Sequence, residues 1–595
     1  MTNKSGARKA RGHGHVIHRE SRGTKVIERS RVRLLCITIF FGMSFTSLAY
    51  ALVDVSVIHR HTGDIAAGDP NANTPDGEDK SFEAAQAPLA LARGDIVDRN
   101  GLLIATTLQT QSLYANPQDI NDPDVSAKRI ARIFPDLNEK EIAHRLKQNN
   151  EFVWIKRNLT PIEQSEANNL GIPGLYFQPE YKRVYPYRNL LSHVVGYVGL
   201  DNIGLSGIEK YFDKDLRKNR ETTEPLKLSI DVRVQNIVHE EIQEGMEKFG
   251  ALGATGMVLD LHSGELLAMA NLPDFDPNKT HNPKDPALFD SASLGSYEMG
   301  STFKTFSTAM ALDYGVVNMN DGYDASHPIQ FAGYTIRDDH PKNRWLSIPE
   351  IYTYSSNIGT VKMIMDVGKE RQQDFLRKVG LMSPVKIELP APEVGGSHSP
   401  AQWSELNSMT ISYGHGMSVT PLHLLRAYAS IVNGGTFENL TLVKGGNEDR
   451  PKGERVISDK TSTEMRRLMR MVVEYGTGKQ ADVPGYRVGG KTGTAEKVKD
   501  TGGYSRHANL TVFISTFPVD SPKYAVLVIF DTPKGTKETH NLVTAGWNAA
   551  PTAGNIIGRI GPMFGIRPVI EMTEDSVNKD WVSTANQRLM HAASY

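Results

Sequence analysis

Three short residue groups in this chain carry side chains suited to acyl transfer. They occur in the order Ser301-Thr302-Phe303-Lys304, Ser355-Ser356-Asn357 and Lys491-Thr492-Gly493-Thr494. A serine hydroxyl is a poor nucleophile until a base takes its proton. Three residues apart on a helix, Ser301 and Lys304 share a face, so Lys304 is the candidate base. A lysine serves as a base only when burial or nearby positive charge lowers its pKa. A helix N-terminus supplies partial positive charge there, and Lys491 supplies more. Ser355 is the candidate proton relay toward a leaving group, and Asn357 the candidate holder of a substrate amide. On a strand, Thr492 and Thr494 point the same way and suit a carboxylate. Gly493 between them lets another element pack closely. Backbone N–H groups of Ser301 and Thr494 are candidate oxyanion donors, each worth roughly 3–4 kcal/mol.

Taken singly, each group has an ordinary reading. Ser301 is then a helix cap, Lys304 a solvated side chain, and Ser355-Ser356-Asn357 a turn. S-x-x-K occurs at Ser301, Ser383 and Ser576, S-x-N at Ser355 and Ser576, and K-T-G only at Lys491. Of the S-x-x-K serines, only Ser301 is followed by both other groups in order. It also follows Gly300 and opens a helical run (FKTFSTAMALDYGV), whereas Pro384 follows Ser383.

The elements that must position these groups read as an α/β (α+β) domain. Asp231 is an N-cap ahead of the helical run VQNIVHEEIQEGMEKF. Apolar runs at 254–260 and 264–270, around a glycine-containing turn, read as an antiparallel pair. The stretches 510–517 and 524–530 read as two more strands. Strands at both ends with helices between predict one domain, spanning 226–570, whose central sheet is closed by the last third of the chain. An accessory domain spans 91–225. It opens with RGDIVDRNG at 93–101, where Asn100-Gly101 predicts a type I′ hairpin with two residues at positive φ. Short helices are expected between 125 and 170.

The N-terminal part has a different character. Residues 1–33 hold ten Lys or Arg against Glu20 and Glu28, and 54–90 hold seven acids against two bases. Between them, 34–53 is uncharged (LLCITIFFGMSFTSLAYALV) and, as a helix, would be roughly 30 Å long, one hydrocarbon thickness. Tyr50-Ala51-Leu52-Val53 makes a poor cleavage site, so a retained single-pass anchor is expected rather than a signal peptide. The basic tail then stays in the cytoplasm, and the rest lies outside, as in a bacterial periplasm. Residues 54–90 read as a flexible linker, and 571–595 as a C-terminal tail. The only cysteine, Cys36, lies in the candidate span, which excludes an intrachain disulfide and a Cys-based metal site. No metal and no cofactor are expected. The basic tail lacks aromatic interleaving and is explained by topology, so nucleic-acid binding is not expected.

The ordered triple resembles that of the penicillin-binding proteins and serine β-lactamases. Further stretches resemble class B penicillin-binding proteins. They are RGDIVDRNG, Gly207-Ile208-Glu209, Phe275-Asp276-Pro277-Asn278, Tyr413-Gly414-His415-Gly416 through Thr420-Pro421, and Ala545-Gly546-Trp547 through Pro551. The likeness covers most of 34–570 and is nearest to the division-type (FtsI-like) D,D-transpeptidases. Met299 and Thr305 stand where many relatives carry proline. The resemblance implies a transpeptidase fold on an elongated pedestal, and peptidoglycan cross-linking by acyl transfer from a stem peptide through Ser301. It implies covalent capture of β-lactams, a site at the inner membrane, a polytopic (FtsW-like) glycosyltransferase partner and other division proteins. An elongation-type role is the alternative. No segment resembles the glycosyltransferase domain of class A relatives.

Rival readings are weaker. Residues 485–492 satisfy G-x-x-x-x-G-K-[ST], yet a P-loop follows a buried strand and opens a helix, and here Gly493 and a polar stretch follow. A β-lactamase needs a deacylating glutamate, and only Glu405-Leu406-Asn407 faintly resembles that loop. A non-catalytic scaffold would not need the intact triple. No G-x-S-x-G elbow occurs. His239-Glu240 is followed by Gln243, so H-E-x-x-H fails.

Overall fold

The computed structural model describes residues 92–218, 224–279, 282–447, 453–498 and 504–569. The candidate span at 34–53, the linker and both terminal tails lie outside these residues. Among the described residues no helix is long and apolar enough to cross a membrane.

The pedestal is built on a twisted sheet. β1 (Ile96–Val97) pairs antiparallel with β2 (Leu103–Ala115), and β2 pairs with β3 (Val153–Leu159) and β4 (Leu175–Val184). Helices α1 (Pro123–Ile133), α2 (Glu139–Leu146) and α3 (Pro161–Asn169) cover one face. Each carries a side-chain N-cap, from Asp122, Asn138 and Thr160 in turn, which satisfies N–H groups the helix itself cannot. Leu113, Ala115, Val153 and Ile155 point into that core, as the two-residue period of strands requires.

The β1–β2 turn departs from the expected type I′ geometry. Only Gly101 has positive φ, at 91°. The Asp98 carboxylate accepts the N–H groups of Asn100 (2.7 Å) and Leu102 (2.8 Å). An aspartate side chain thus closes the turn that two left-handed residues were expected to close.

β5 (Leu226–Lys227) pairs parallel with β1 and leads into the second domain. There α4 (Val232–Lys248) starts at the Asp231 cap, as expected. Strands β6 (Gly253–Asp260) and β7 (Leu266–Leu272) form the antiparallel pair. They join β8 (Gly489–Val498), β9 (Tyr504–Phe517) and β10 (Tyr524–Asp531) in the order β8-β9-β10-β6-β7, every pair antiparallel. The last third of the chain therefore completes the sheet begun at 253. Both faces are covered. Val526, Val528 and Phe530 of β10 meet α4 and α8 (Ala549–Met563), while Leu527 and Ile529 belong to the core on the other face. Two-sided burial explains why β10 reads as an unbroken apolar run.

Asn278 joins the sheet domain to the pedestal. Asn278 accepts the Tyr185 N–H and donates to the Tyr185 carbonyl, both at 2.9 Å. Glu209 is fully buried between two guanidinium groups, Arg93 (2.9 Å) and Arg183 (2.6 Å), and Arg93 also reaches Asp213. Removing one member of such a set leaves unpaired buried charge. Glu209→Ala should lower stability by about 3–5 kcal/mol. Thermal unfolding of the purified chain against wild type measures this, and a change within error would reject it.

Candidate active site

The three groups converge from three elements. Ser301 sits on a 3-10 turn, Gly300–Phe303, and α5 (Lys304–Asp313) begins only at the lysine. Ser355 follows α6 (Ile348–Thr353), and Asn357 opens α7 (Asn357–Val367). Lys491, Thr492, Gly493 and Thr494 lie on β8, the edge strand of the sheet. β8 turns back into β9 and opens no helix, which overturns the P-loop pattern at 485–492.

Close packing depends on glycine. A Cβ on Gly493 would lie 2.5 Å from the Met299 carbonyl oxygen, and one on Gly300 would lie 2.5 Å from the Thr494 carbonyl oxygen. Gly300 has φ of 52°, a region that glycine occupies freely. Gly414 presses on the other side, where an added Cβ would be 1.9 Å from the Gly300 oxygen. The turn bearing Ser301 is wedged between β8 and the Tyr413-Gly414-His415-Gly416 loop.

Lys304 is fully buried and forms the hub. Its Nζ reaches Ser301 Oγ (2.9 Å), Ser355 Oγ (3.0 Å), the Ser355 carbonyl (2.7 Å) and Asn357 Oδ1 (2.6 Å). Lys491, also fully buried, donates to Ser355 Oγ at 3.0 Å and to the Thr492 carbonyl at 3.2 Å. One serine hydroxyl thus bridges two amines. Burial drives the Lys304 pKa down to about 8, against the opposing pull of Asp339 and Asp338. Burial and the charge of Lys304 hold Lys491 well below its ordinary value. Desolvation is the main cause for Lys304, more than the helix end or the second lysine.

Other expected roles look different in place. Asn357 has both ends of its amide engaged, Oδ1 by Lys304 and Nδ2 by the Arg337 carbonyl at 2.8 Å. Its visible work is to orient the base. Thr492 and Thr494 share a face, as expected. The Thr492 hydroxyl is 2.5 Å from that of Thr477, and Thr494 Oγ1 accepts the Ala545 N–H at 3.3 Å. Glu405 is exposed in the first turn of the helix Glu405–Ser412.

Sequence reasoning missed the support behind Ser355. Asp338 accepts from the Ser356 hydroxyl (2.7 Å) and the Ile358 N–H (2.9 Å). These bonds hold Ser355 at φ of 60°, a left-handed conformation unusual for a serine. Nothing in the local sequence pairs Asp338 with a turn almost twenty residues on. The Thr477 contact with Thr492 was equally silent.

Comparison with known proteins agrees with this geometry. Residues 254–557 match the penicillin binding protein transpeptidase domain, and 88–246 match the penicillin-binding protein dimerisation domain. The chain is 35% identical to the probable peptidoglycan D,D-transpeptidase FtsI of Caulobacter vibrioides, over 94% of this chain and 93% of that protein. It is 28% identical to the peptidoglycan D,D-transpeptidase FtsI of Escherichia coli K12, over 85% and 89%. The solved structure of penicillin binding protein 3 from Mycobacterium tuberculosis, complexed with aztreonam, shares the fold. Its TM-score is 0.64 at 24% identity, covering 82% of this chain and all of that one. The chain belongs to the class B penicillin-binding proteins, with a transpeptidase domain preceded by a dimerisation domain.

Two outcomes follow from the packing and the titration. Gly493→Ala should slow acylation of Ser301 by tenfold or more, because the added methyl displaces the turn at Met299; stopped-flow labelling with a fluorescent penicillin measures it. Lys304 must be neutral to accept a proton. The acylation rate of Ser301 should therefore climb about tenfold per pH unit at acid pH and level off at a pH of about 8. A flat profile between pH 5 and 8 would exclude Lys304 as the base.

Proposed function

We propose that this chain is a serine D,D-transpeptidase that cross-links peptidoglycan stem peptides, in the division-type role of its FtsI relatives. One observation carries the reading: a buried lysine of lowered pKa lies 2.9 Å from the hydroxyl of Ser301. Ser301 Oγ forms a bond to the penultimate D-Ala carbonyl carbon as Lys304 takes its proton. The peptide C–N bond then breaks, the departing terminal D-Ala amine receives a proton through Ser355, and an acyl-enzyme remains. The amine of a neighbouring stem then bonds to the ester carbonyl carbon, the bond from Ser301 Oγ to that carbon breaks, and the amine's proton passes through Lys304 to Oγ. A β-lactam ring opens on the same serine but carries its leaving group along, so the adduct persists.

Residues 34–53 would anchor the chain in the bacterial inner membrane, with the basic tail cytoplasmic and the catalytic domain periplasmic. The uncharged twenty-residue run and its basic flank support this. A polytopic (FtsW-like) glycosyltransferase and other division proteins would be its partners, a reading that rests on the FtsI relatives.

Mass spectrometry after penicillin treatment tests the assignment. The peptide containing Ser301 should gain the mass of the drug, and Ser301→Ala should lose the adduct. An adduct elsewhere would reject the nucleophile. The adduct should also outlast a hydrolase turnover, persisting for minutes or longer; multiple turnovers per minute would instead make the chain a β-lactamase.

A further inference from the structure

Two residues at the site have no part in the reaction above. One is Thr305, at a position where the family pattern leads one to expect proline. The other is the buried phenol of Tyr352. Thr305 is the second residue of α5, and Tyr352 lies near the end of α6. Both are fully buried, and their hydroxyls are 3.0 Å apart. The Tyr352 ring lies beside Lys491, with Nζ 5.8 Å from its centroid, within range of a cation–π attraction. The Tyr352 carbonyl also accepts the Ser355 N–H at 3.3 Å. Tyr352 therefore touches all three groups: the helix of Lys304 through Thr305, the relay serine through its backbone, and Lys491 through its ring.

What faces each lysine decides where a proton rests. Lys304 faces Ser301, the Ser355 hydroxyl and carbonyl, Asn357 Oδ1, and the charges of Asp338, Asp339, Lys491 and His415. Its acceptors and carboxylates favour the cation. Lys491 faces Lys304, the Ser355 hydroxyl, the Thr492 carbonyl and the Tyr352 ring. With both amines 3.0 Å from one hydroxyl, two full charges repel, and the pair titrates as a unit. A proton on Lys304 disables the base. A proton on Lys491 leaves Lys304 free to act.

We propose that Tyr352, oriented by Thr305, is a positioning residue that draws part of the shared proton onto Lys491 and so lowers the pH at which Lys304 becomes neutral toward Ser301. The proposal rests on Lys304 being the base for Ser301. The ring attracts the ammonium through its face, and the hydroxyl bond to Thr305 fixes which way that face points. Thr305 then has a specific use: proline there would fit the first helical turn but would leave the phenol without this partner.

The test is the pH profile of penicillin acylation in the full chain. In Tyr352→Leu the acid limb should move up by about half to one pH unit, with the rate recovering at high pH. Tyr352→Phe keeps the ring and should give a smaller displacement. Thr305→Val and Thr305→Pro should match Tyr352→Phe, and the Thr305→Val/Tyr352→Phe double variant should go no further, because both remove one bond. A limb that stays in place while the rate falls equally at every pH would overturn the proposal and leave Tyr352 a packing residue. Should Tyr352→Leu fail to fold, the hydroxyl variants decide: additive effects or an unmoved limb reject the link. Failure of the underlying site assignment looks different, as labelling that survives Ser301→Ala.

Discussion

The rest of the structure depends on two buried amines sharing one hydroxyl. Lys304 and Lys491 are both cut off from water, and each reaches Ser355 Oγ at 3.0 Å. In water such amines would be charged and inert as bases. Desolvation makes the neutral form accessible, and repulsion between them makes simultaneous charging unfavourable. A lone buried lysine would only lose basicity. A pair bridged by a hydroxyl also has a route along which a proton moves without leaving the site.

That arrangement demands close approach of three unrelated stretches. The edge strand β8 brings Lys491 from one side, and the end of α6 brings Ser355 from another. The turn before α5 is wedged against Gly493 and Gly414. Each approach is closer than any side chain permits, which is why glycine recurs at the contacts. The sheet is covered on both faces, and β9, to which β8 is hydrogen-bonded, sends Val512 and Ile514 into one core and Phe513 and Phe517 into the other. The pedestal is joined to the sheet domain by Asn278, which bonds both backbone groups of Tyr185, and is braced internally by Glu209 between Arg93 and Arg183. Rigidity at the site is thus inherited from packing well away from it.

What was legible in the sequence was order and period. The three groups appear in series, so their assembly was readable without knowing the fold. The N-cap at Asp231 and four of the five strands of the central sheet followed from local chemistry and apolar runs. The failures were non-local or side-chain specific. Asp338 bonds to a turn on another element, and no local pattern encodes that meeting. Asn100-Gly101 predicts two left-handed residues, but the carboxylate of Asp98 substitutes for one of them. Asn357, expected to hold a substrate amide, also accepts from the buried Lys304 amine, a bond that no local pattern announces. Thr305 read as a minor departure. Only the fold shows that its hydroxyl meets a buried phenol.

Transferase and hydrolase behaviour then differ in how the second nucleophile is activated. Water is a weak nucleophile and needs a strong, well-placed base, which serine hydrolases of this general type supply as an added glutamate. Here the one sequence candidate, Glu405, is exposed at the start of its helix. An incoming amine asks for less. It is intrinsically more nucleophilic, and its excess proton can pass to Lys304, which regains its neutral state once the leaving group has been protonated. The same lysine that opens the reaction therefore suffices to close it with an amine, whereas water would need a carboxylate as well.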